Sequence, residues 1–296
     1  MNTPLKLAGF ALGLVAVFGA AVGVGRAVGP VESATVSPAA GHDMAADEGH
    51  EPAAGSLPAK GLLVAQDGYT LDLGTTALPA GPATPLAFRI LGPDGTPVTA
   101  FDESHDKDLH LIAVRRDLAG FQHVHPTLAT DGTWTIPLAL TPGTWRLFAD
   151  FVPAADGENR TLGADLAVPG QYDPAPVPVE SRTAEVDGYT ITLDGDLVPG
   201  EESDLTFQVS VGGRPVTDLQ PYLGAYGHLV VLRAGDLAYL HVHPAGEPGD
   251  GATEPGPGPD VTFSSTAPSS GTYRLFLDFR HGDAVHTAAF TVEAGA

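Results

Sequence analysis

Leu109 to Pro126 reads LHLIAVRRDLAGFQHVHP, and Gly227 to Pro244 reads GHLVVLRAGDLAYLHVHP. The two stretches align without a gap, 118 positions apart. Any fold for this chain must therefore accommodate the same piece twice. Each copy runs as an apolar strand, a short polar turn and a second strand ending in His-Val-His-Pro. His110 matches His228, His123 matches His241 and His125 matches His243, and the chain holds 11 histidines in all.

The repetition extends past the hairpin. Asp67-Gly68-Tyr69-Thr70 returns as Asp187-Gly188-Tyr189-Thr190, and GTWRLFADF from Gly143 to Phe151 returns as GTYRLFLDF from Gly271 to Phe279. The offset has by then grown to 128. The extra residues fall in AGEPGDGATEPGPGPD, which has the composition of a surface loop and cannot continue a ladder. Between the repeated pieces lie short alternating runs bounded by Gly, Pro and Asp. In TWRLFADFV, for example, Trp145, Leu147, Ala149 and Phe151 share one face at period two. The 37 glycines and 27 prolines suit many short strands joined by tight turns. The expected fold is all-β: two tandem antiparallel Ig-like or cupredoxin-like β-sandwich domains after one N-terminal transmembrane or signal helix. The repeats are expected over 61–170 and 181–296, with a stiff Pro-rich connector at 171–180.

The N-terminal expectation rests on Leu7 to Gly25, an uncharged apolar run after Lys6. As a helix it would span ~28 Å, close to the hydrocarbon core of a bilayer. Read as an anchor, or as a signal peptide cleaved near Gly19–Ala21, it covers 1–28 and places the bulk of the chain outside the cytoplasm. Residues 29–60 have the composition of a disordered acidic linker. Within it, His42 and Met44 stand two apart, an arrangement that can offer imidazole and thioether to copper.

In a strand, residues two apart point the same way and lie ~7 Å apart. His123 and His125 share a face, as do His241 and His243. A six-residue loop over Arg115–Gly120 puts Ile112 opposite His123 and His110 opposite His125. Three imidazoles then meet on one face, with paired Cβ atoms ~5 Å apart. An odd loop length or a bulge would send His110 to the opposite face. The same register applies to His228, His241 and His243. Close neutral imidazoles suit copper or zinc. The candidate metal ligands are therefore His110, His123, His125, His228, His241 and His243. His286 and His281, near the last strands, and His105, in an acidic stretch of the first copy, are further candidates. The competing reading is that these histidines are structural, hydrogen-bonded to backbone in an adhesion-like interaction module.

Composition removes several classes. With 14 Lys and Arg against 36 Asp and Glu the formal charge is −22, which repels nucleic acid. The absence of cysteine excludes thiolate zinc sites, iron–sulfur clusters and blue-copper centres. No Gly-x-Ser-x-Gly, phosphate loop or His-Glu-x-x-His is present. Gly235, His241, His243 and Glu247 match the start of the first cupin motif, but Glu254 stands where that motif needs glycine. Its second motif needs a His followed by Asn, and neither Asn2 nor Asn159 fits. The chain is expected not to be an enzyme.

The doubled His-Val-His-Pro hairpin, the Arg-Leu-Phe-x-Asp-Phe strand, the closing His286-Thr-Ala-Ala-Phe-Thr and the N-terminal anchor resemble a group of exported actinobacterial proteins. Those proteins are described as secreted or heavy-metal-related. The resemblance covers roughly residues 61–296 and implies an extracytoplasmic, membrane-tethered role in handling a transition metal. The partners it implies are the membrane and a metal transporter or metal-accepting protein. The architecture is also similar to copper-resistance-type β-sandwich carriers, but this chain lacks their mature N-terminal His and Met-rich loop. The expected function is copper binding or buffering through His clusters.

Overall fold

Strand Gly81–Leu91 shows how the sequence builds its sheets. Leu86, Phe88 and Ile90 point inward and are buried, while Ala87 and Arg89 between them face solvent. This is the alternation expected of a strand with one wet face. Strand Leu109–Arg115 (LHLIAVR) differs: six consecutive residues, Leu109 to Val114, are buried. A strand apolar on both faces must be covered on both, and that requirement positions the site described below.

The computed structural model describes residues 59–240, 242–244 and 256–295. All regular structure among them is strand, and no described helix is long and apolar enough to cross a membrane. The expected anchor helix, and the His42–Met44 pair, lie outside the described residues.

The first repeat is two packed antiparallel sheets. One has the strand order Ala65–Gln66, Tyr69–Asp72, Gly81–Leu91, Thr133–Leu140, Thr127–Leu128. The other runs Arg160–Val168, Gly143–Pro153, Leu109–Arg115, Gln122–Val124, with Phe101–Asp102 added to Gly143–Pro153. The second repeat has one sheet of Thr183–Val186, Tyr189–Asp194, Glu202–Val211, Asp260–Thr266 and Val242–Pro244, with Arg214–Pro215 added. Its other sheet runs Tyr239–Leu240, His228–Arg233, Gly271–His281, Ala284–Ala294. Each sandwich has its own core, centred on Trp134, Trp145 and Phe151 in the first and on Phe207, Phe263 and Phe290 in the second.

A third apolar cluster joins them. It contains Ile112, Val114 and Phe148 of the first repeat and Val230, Leu232 and Phe276 of the second. The contacts are reciprocal. Phe121 stacks on Phe276 with ring centroids 3.9 Å apart and planes 3° from parallel, while Tyr239 meets Phe148 at 5.7 Å. Phe148 and Phe276 are equivalent positions, as are Phe121 and Tyr239. The repeats thus meet face to face as the halves of an isologous dimer do, residue i on j and j on i. The connector is tied to the first repeat: Ala175 N–H donates to Asp117 Oδ2 at 2.8 Å, and Arg115 lies over the Tyr172 ring.

One glycine is fixed by this packing. A Cβ on Gly163 would collide with the backbone oxygen of Gly61 and lie 2.6 Å from Nη2 of the buried Arg146. Arg146 Nη2 itself donates to Gly61 O at 2.6 Å. Neither neighbour is the free end of a flexible chain. Gly163→Ala is expected to destabilise the protein by about 3 kcal/mol, read as a lower urea midpoint at unchanged slope. A midpoint equal to that of the unsubstituted protein would show that the 59–64 segment yields freely.

Candidate functional site

The face of Leu109–Arg115 that carries Ile112 and Val114 into the seam also carries His110. Ile112 pairs with His123 and Leu111 with Val124, the register that a six-residue loop over Arg115–Gly120 requires. One step along, His125 reaches His110, with its Nε2 3.2 Å from His110 Nδ1. From the facing sheet His228, the equivalent of His110, stacks on it at 5.3 Å with planes 13° apart. Ring nitrogens of His110, His123 and His228 all lie within 4.8 Å of one another. The cluster sits where the two repeats meet and draws ligand-type atoms from both.

The hydrogen bonds assign the tautomers. His110 Nε2 lies 2.9 Å from the Ser104 carbonyl oxygen, which can only accept. Nε2 therefore carries the proton, and Nδ1 presents a lone pair. His123 Nδ1 lies 2.8 Å from Asp278 Oδ2, so His123 donates there, and its Nε2 presents a lone pair when the ring is neutral. Asp278 is itself buried and oriented by Thr287, whose hydroxyl donates to Oδ1 at 2.6 Å. The lone-pair nitrogens of His110 and His123 are 3.0 Å apart. Two facing lone pairs repel unless a proton or a cation lies between them. The Nδ1 of His228 is buried without a hydrogen-bond partner. A buried carboxylate that holds one imidazole nitrogen and aims the other inward is the outer-shell arrangement of metal-bound histidine. A tetrahedral ion with nitrogens at ~2.05 Å separates them by ~3.3 Å, close to the 3.0 and 3.2 Å found here.

Burial keeps the His110, His125 and His228 rings neutral. It is the main cause that lowers the His110 pKa to about 4, helped by His123 alongside. His125 falls to about 3, again through burial and then through His123 and His110. His228 is held well below the ordinary value by burial and by its four histidine neighbours. Neutral imidazole is the metal-binding form.

The other candidates are placed differently. His105 lies at the rim, edge-on to His228 at 5.3 Å. His281 and His286 are not in the cluster. His286 Nδ1 bonds Asp187 Oδ2 at 2.8 Å, and His281 bonds the Tyr189 hydroxyl and Asp218. The equivalent of His286 across the strand pair in the first repeat is Arg160, which pairs with Asp156 and covers the Tyr69 ring. His286 thus occupies the register position that Arg160 holds in the first repeat. The second hairpin does not repeat the first. Val231 pairs with Leu240, after which the chain changes sheets, and Val242–Pro244 pairs with Asp260–Thr266. In the first repeat the change of sheet comes after His125, at Thr127–Leu128. His243 therefore has its backbone opposite Ser264 in the other sheet. His241 lies outside the described residues.

Asp278 is a site residue that the histidine pattern alone does not reveal. Its signal is in the sequence all the same: Phe-x-Asp-Phe sets an acid between core residues on a strand buried on both faces, in both copies.

A family model described as a domain of unknown function (DUF8832) matches the chain twice, over residues 64–170 and 184–296. No functionally curated protein matches. Among solved structures the chain is similar to the adhesin InvE of Yersinia pseudotuberculosis, at 16% identity over 77% of this chain and 59% of that one, with a TM-score of 0.23. It is also similar to the Escherichia coli adhesin FdeC, at 14% identity over 77% of this chain and 64% of that one, with a TM-score of 0.25. A third is invasin, a bacterial integrin-binding protein, at 14% identity over 78% and 41%, with a TM-score of 0.23. The chain thus spans less than two thirds of each of these structures, and at such TM-scores the likeness carries no functional argument.

Proposed function

This chain belongs to the DUF8832 family, whose domain it carries twice, and on that premise we propose that its function resides in what the two copies build together. It binds one transition-metal ion, copper or zinc, outside the cytoplasm. The ion sits at the seam on His110, His123 and His228, with His125 beside them. The observation that carries this reading is the 3.0 Å approach of His110 Nδ1 to His123 Nε2, with the opposite ring nitrogens held by the Ser104 carbonyl and Asp278. A donor set of imidazoles without thiolate suits Cu(II) and Zn(II), and copper(II) binds the tighter of the two. The role is to hold the metal or pass it to a transporter or an accepting protein, not to catalyse. The N-terminal apolar run tethers the protein at the membrane.

A second reading keeps the histidines structural in an adhesion-like module. It is favoured by the apolar seam, whose packed side chains themselves join the repeats, and by the fact that one proton on His123 Nε2 would also satisfy the 3.0 Å contact with His110.

Metal titration of the purified full chain separates the two. One equivalent of Cu(II) or Zn(II) per chain is expected to bind tightly at pH 7. His123→Ala should weaken that binding by ~100-fold or more, since loss of an outer-shell partner alone costs 10–100-fold. His286→Ala should leave it unchanged. Two equivalents per chain, or none, would overturn the shared site, and an unaffected His123→Ala would leave the histidines structural.

A further inference from the structure

A cleft of about 560 Å³ opens beside the cluster, lined by residues of both repeats that include Ser104, His105, Asp150, Asn159, His228 and Tyr239. Its volume is that of a small-molecule site. Two of its walls belong to the cluster. His228 lines it while its buried Nδ1 has no partner. Ser104 lines it while its carbonyl accepts the proton of His110. Resting on the metal reading above, we propose that this cleft is the open coordination position of the site. It admits a neutral nitrogen-donor ligand of the imidazole or amine class to the bound ion and turns anions away.

The first support is coordination number. Three protein nitrogens leave a four-coordinate ion one position short, as in zinc sites that exchange ligands. His125 would stand beside these three as a further nitrogen donor. The second support is the turn that forms the rim. Ser104 and Lys107 close a two-residue hairpin in which His105 and Asp106 both have positive φ, 50° and 61°. The equivalent turn of the second repeat, closed by Tyr222 and Ala225, uses Leu223 and Gly224. Glycine adopts that conformation without penalty, whereas Asp106 does not. The first repeat thus holds a strained backbone that places an imidazole at the cleft, edge-on to His228. The third support is charge. Asp150 lines the cleft with its Oδ1 fixed by Asn159 Nδ2 at 2.8 Å and by the Thr161 hydroxyl at 3.1 Å. A fixed carboxylate in a partly enclosed cleft repels an incoming anion. An imidazole or an amine meets no such barrier and can donate a hydrogen bond to it.

The test uses the full chain loaded with one equivalent of Cu(II), followed by its visible d–d band. Imidazole should shift the band saturably with the copper retained after desalting. Azide should bind at least about tenfold more weakly to the unsubstituted protein than to Asp150→Asn, which keeps the hydrogen bonds from Asn159 and Thr161 but removes the charge. His105→Leu, the residue that the second repeat carries in the same turn, should lower the imidazole affinity while copper still loads. A copper-loaded protein whose band answers to neither imidazole nor azide has a closed site, and the inference fails while the metal reading stands. If azide binds the unsubstituted protein and Asp150→Asn equally, the proposed selectivity fails. Failure of copper to load at all sinks the metal reading, and this inference with it.

Discussion

Acidifying the metal-free protein from pH 6.5 to 4.5 is expected to remove about 2–3 kcal/mol of stability through His110 alone. The sign follows from where the proton prefers to be. In the unfolded chain His110 titrates near its ordinary ~6.5, while in the folded chain burial holds it at about 4. As the pH falls below ~6.5 the unfolded chain takes up the proton first. The folded state is then progressively disfavoured, until the pH reaches the folded value and the loss levels off. His125 and His228 are shifted in the same direction and add to the effect. The interval from pH 6.5 to 5 lies above the ordinary carboxylate range, so histidine dominates there. Urea unfolding at pH 7, 6 and 5 reads this directly. His228→Gln, which cannot take up a proton, should flatten the slope. A bound metal should hold stability to lower pH, because it occupies the same lone pairs. Equal unfolding free energies at pH 7 and pH 5 would mean that water already reaches these rings.

Phe276→Ala should cost about 3–4 kcal/mol, in the range for large aromatic side chains removed from a packed core. Phe276 is buried in the joining cluster and lies flat on Phe121. An aromatic pair of this kind contributes beyond the area it hides. The same substitution should weaken metal binding, because His110 and His123 stand on one side of the seam and His228 on the other. Guanidinium unfolding together with a copper titration tests both parts. A variant within 1 kcal/mol of the parent, with unchanged copper affinity, would show that the seam contributes nothing to holding the repeats or the site.

Much of this arrangement is written in local sequence. Period-two alternation and Gly, Pro and Asp turns account for the strands, because each depends on neighbours within a few residues. The length of the Arg115–Gly120 loop settles the pairing of Ile112 with His123 for the same reason. What lies beyond local sequence is which sheet face meets which. Nothing in the spacing of His110, His123 and His125 says that the next ring comes from the second repeat instead of from their own. The signal nearest to it is the apolarity of Leu109–Arg115 and His228–Arg233 on both faces, since each then needs a cover outside its own sandwich. Proximity in the chain also misleads. His281 and His286 flank the last hairpin of the second repeat, yet Asp187, Tyr189 and Asp218 engage them at another place. Identical motifs can also diverge in use: both copies spell His-Val-His-Pro, but the second changes sheets after Leu240, ahead of the motif.

The covalent link between the repeats changes how the seam responds to scarcity. Two separate chains meeting on such a face would part on dilution, and a site divided between them would empty as they did. Here residues 171–180 hold one half within reach of the other, and Ala175 pins that segment to Asp117. Closure is then intramolecular, governed by an effective concentration that the linker sets and that protein abundance does not alter. However dilute the protein, each molecule keeps its shared histidines together on its own. Because the two halves differ in sequence, each can also carry its own groups. Asp278 turns toward His123 while Asp150 holds Asn159 and Thr161, a division of labour that a symmetric pair of identical chains cannot encode.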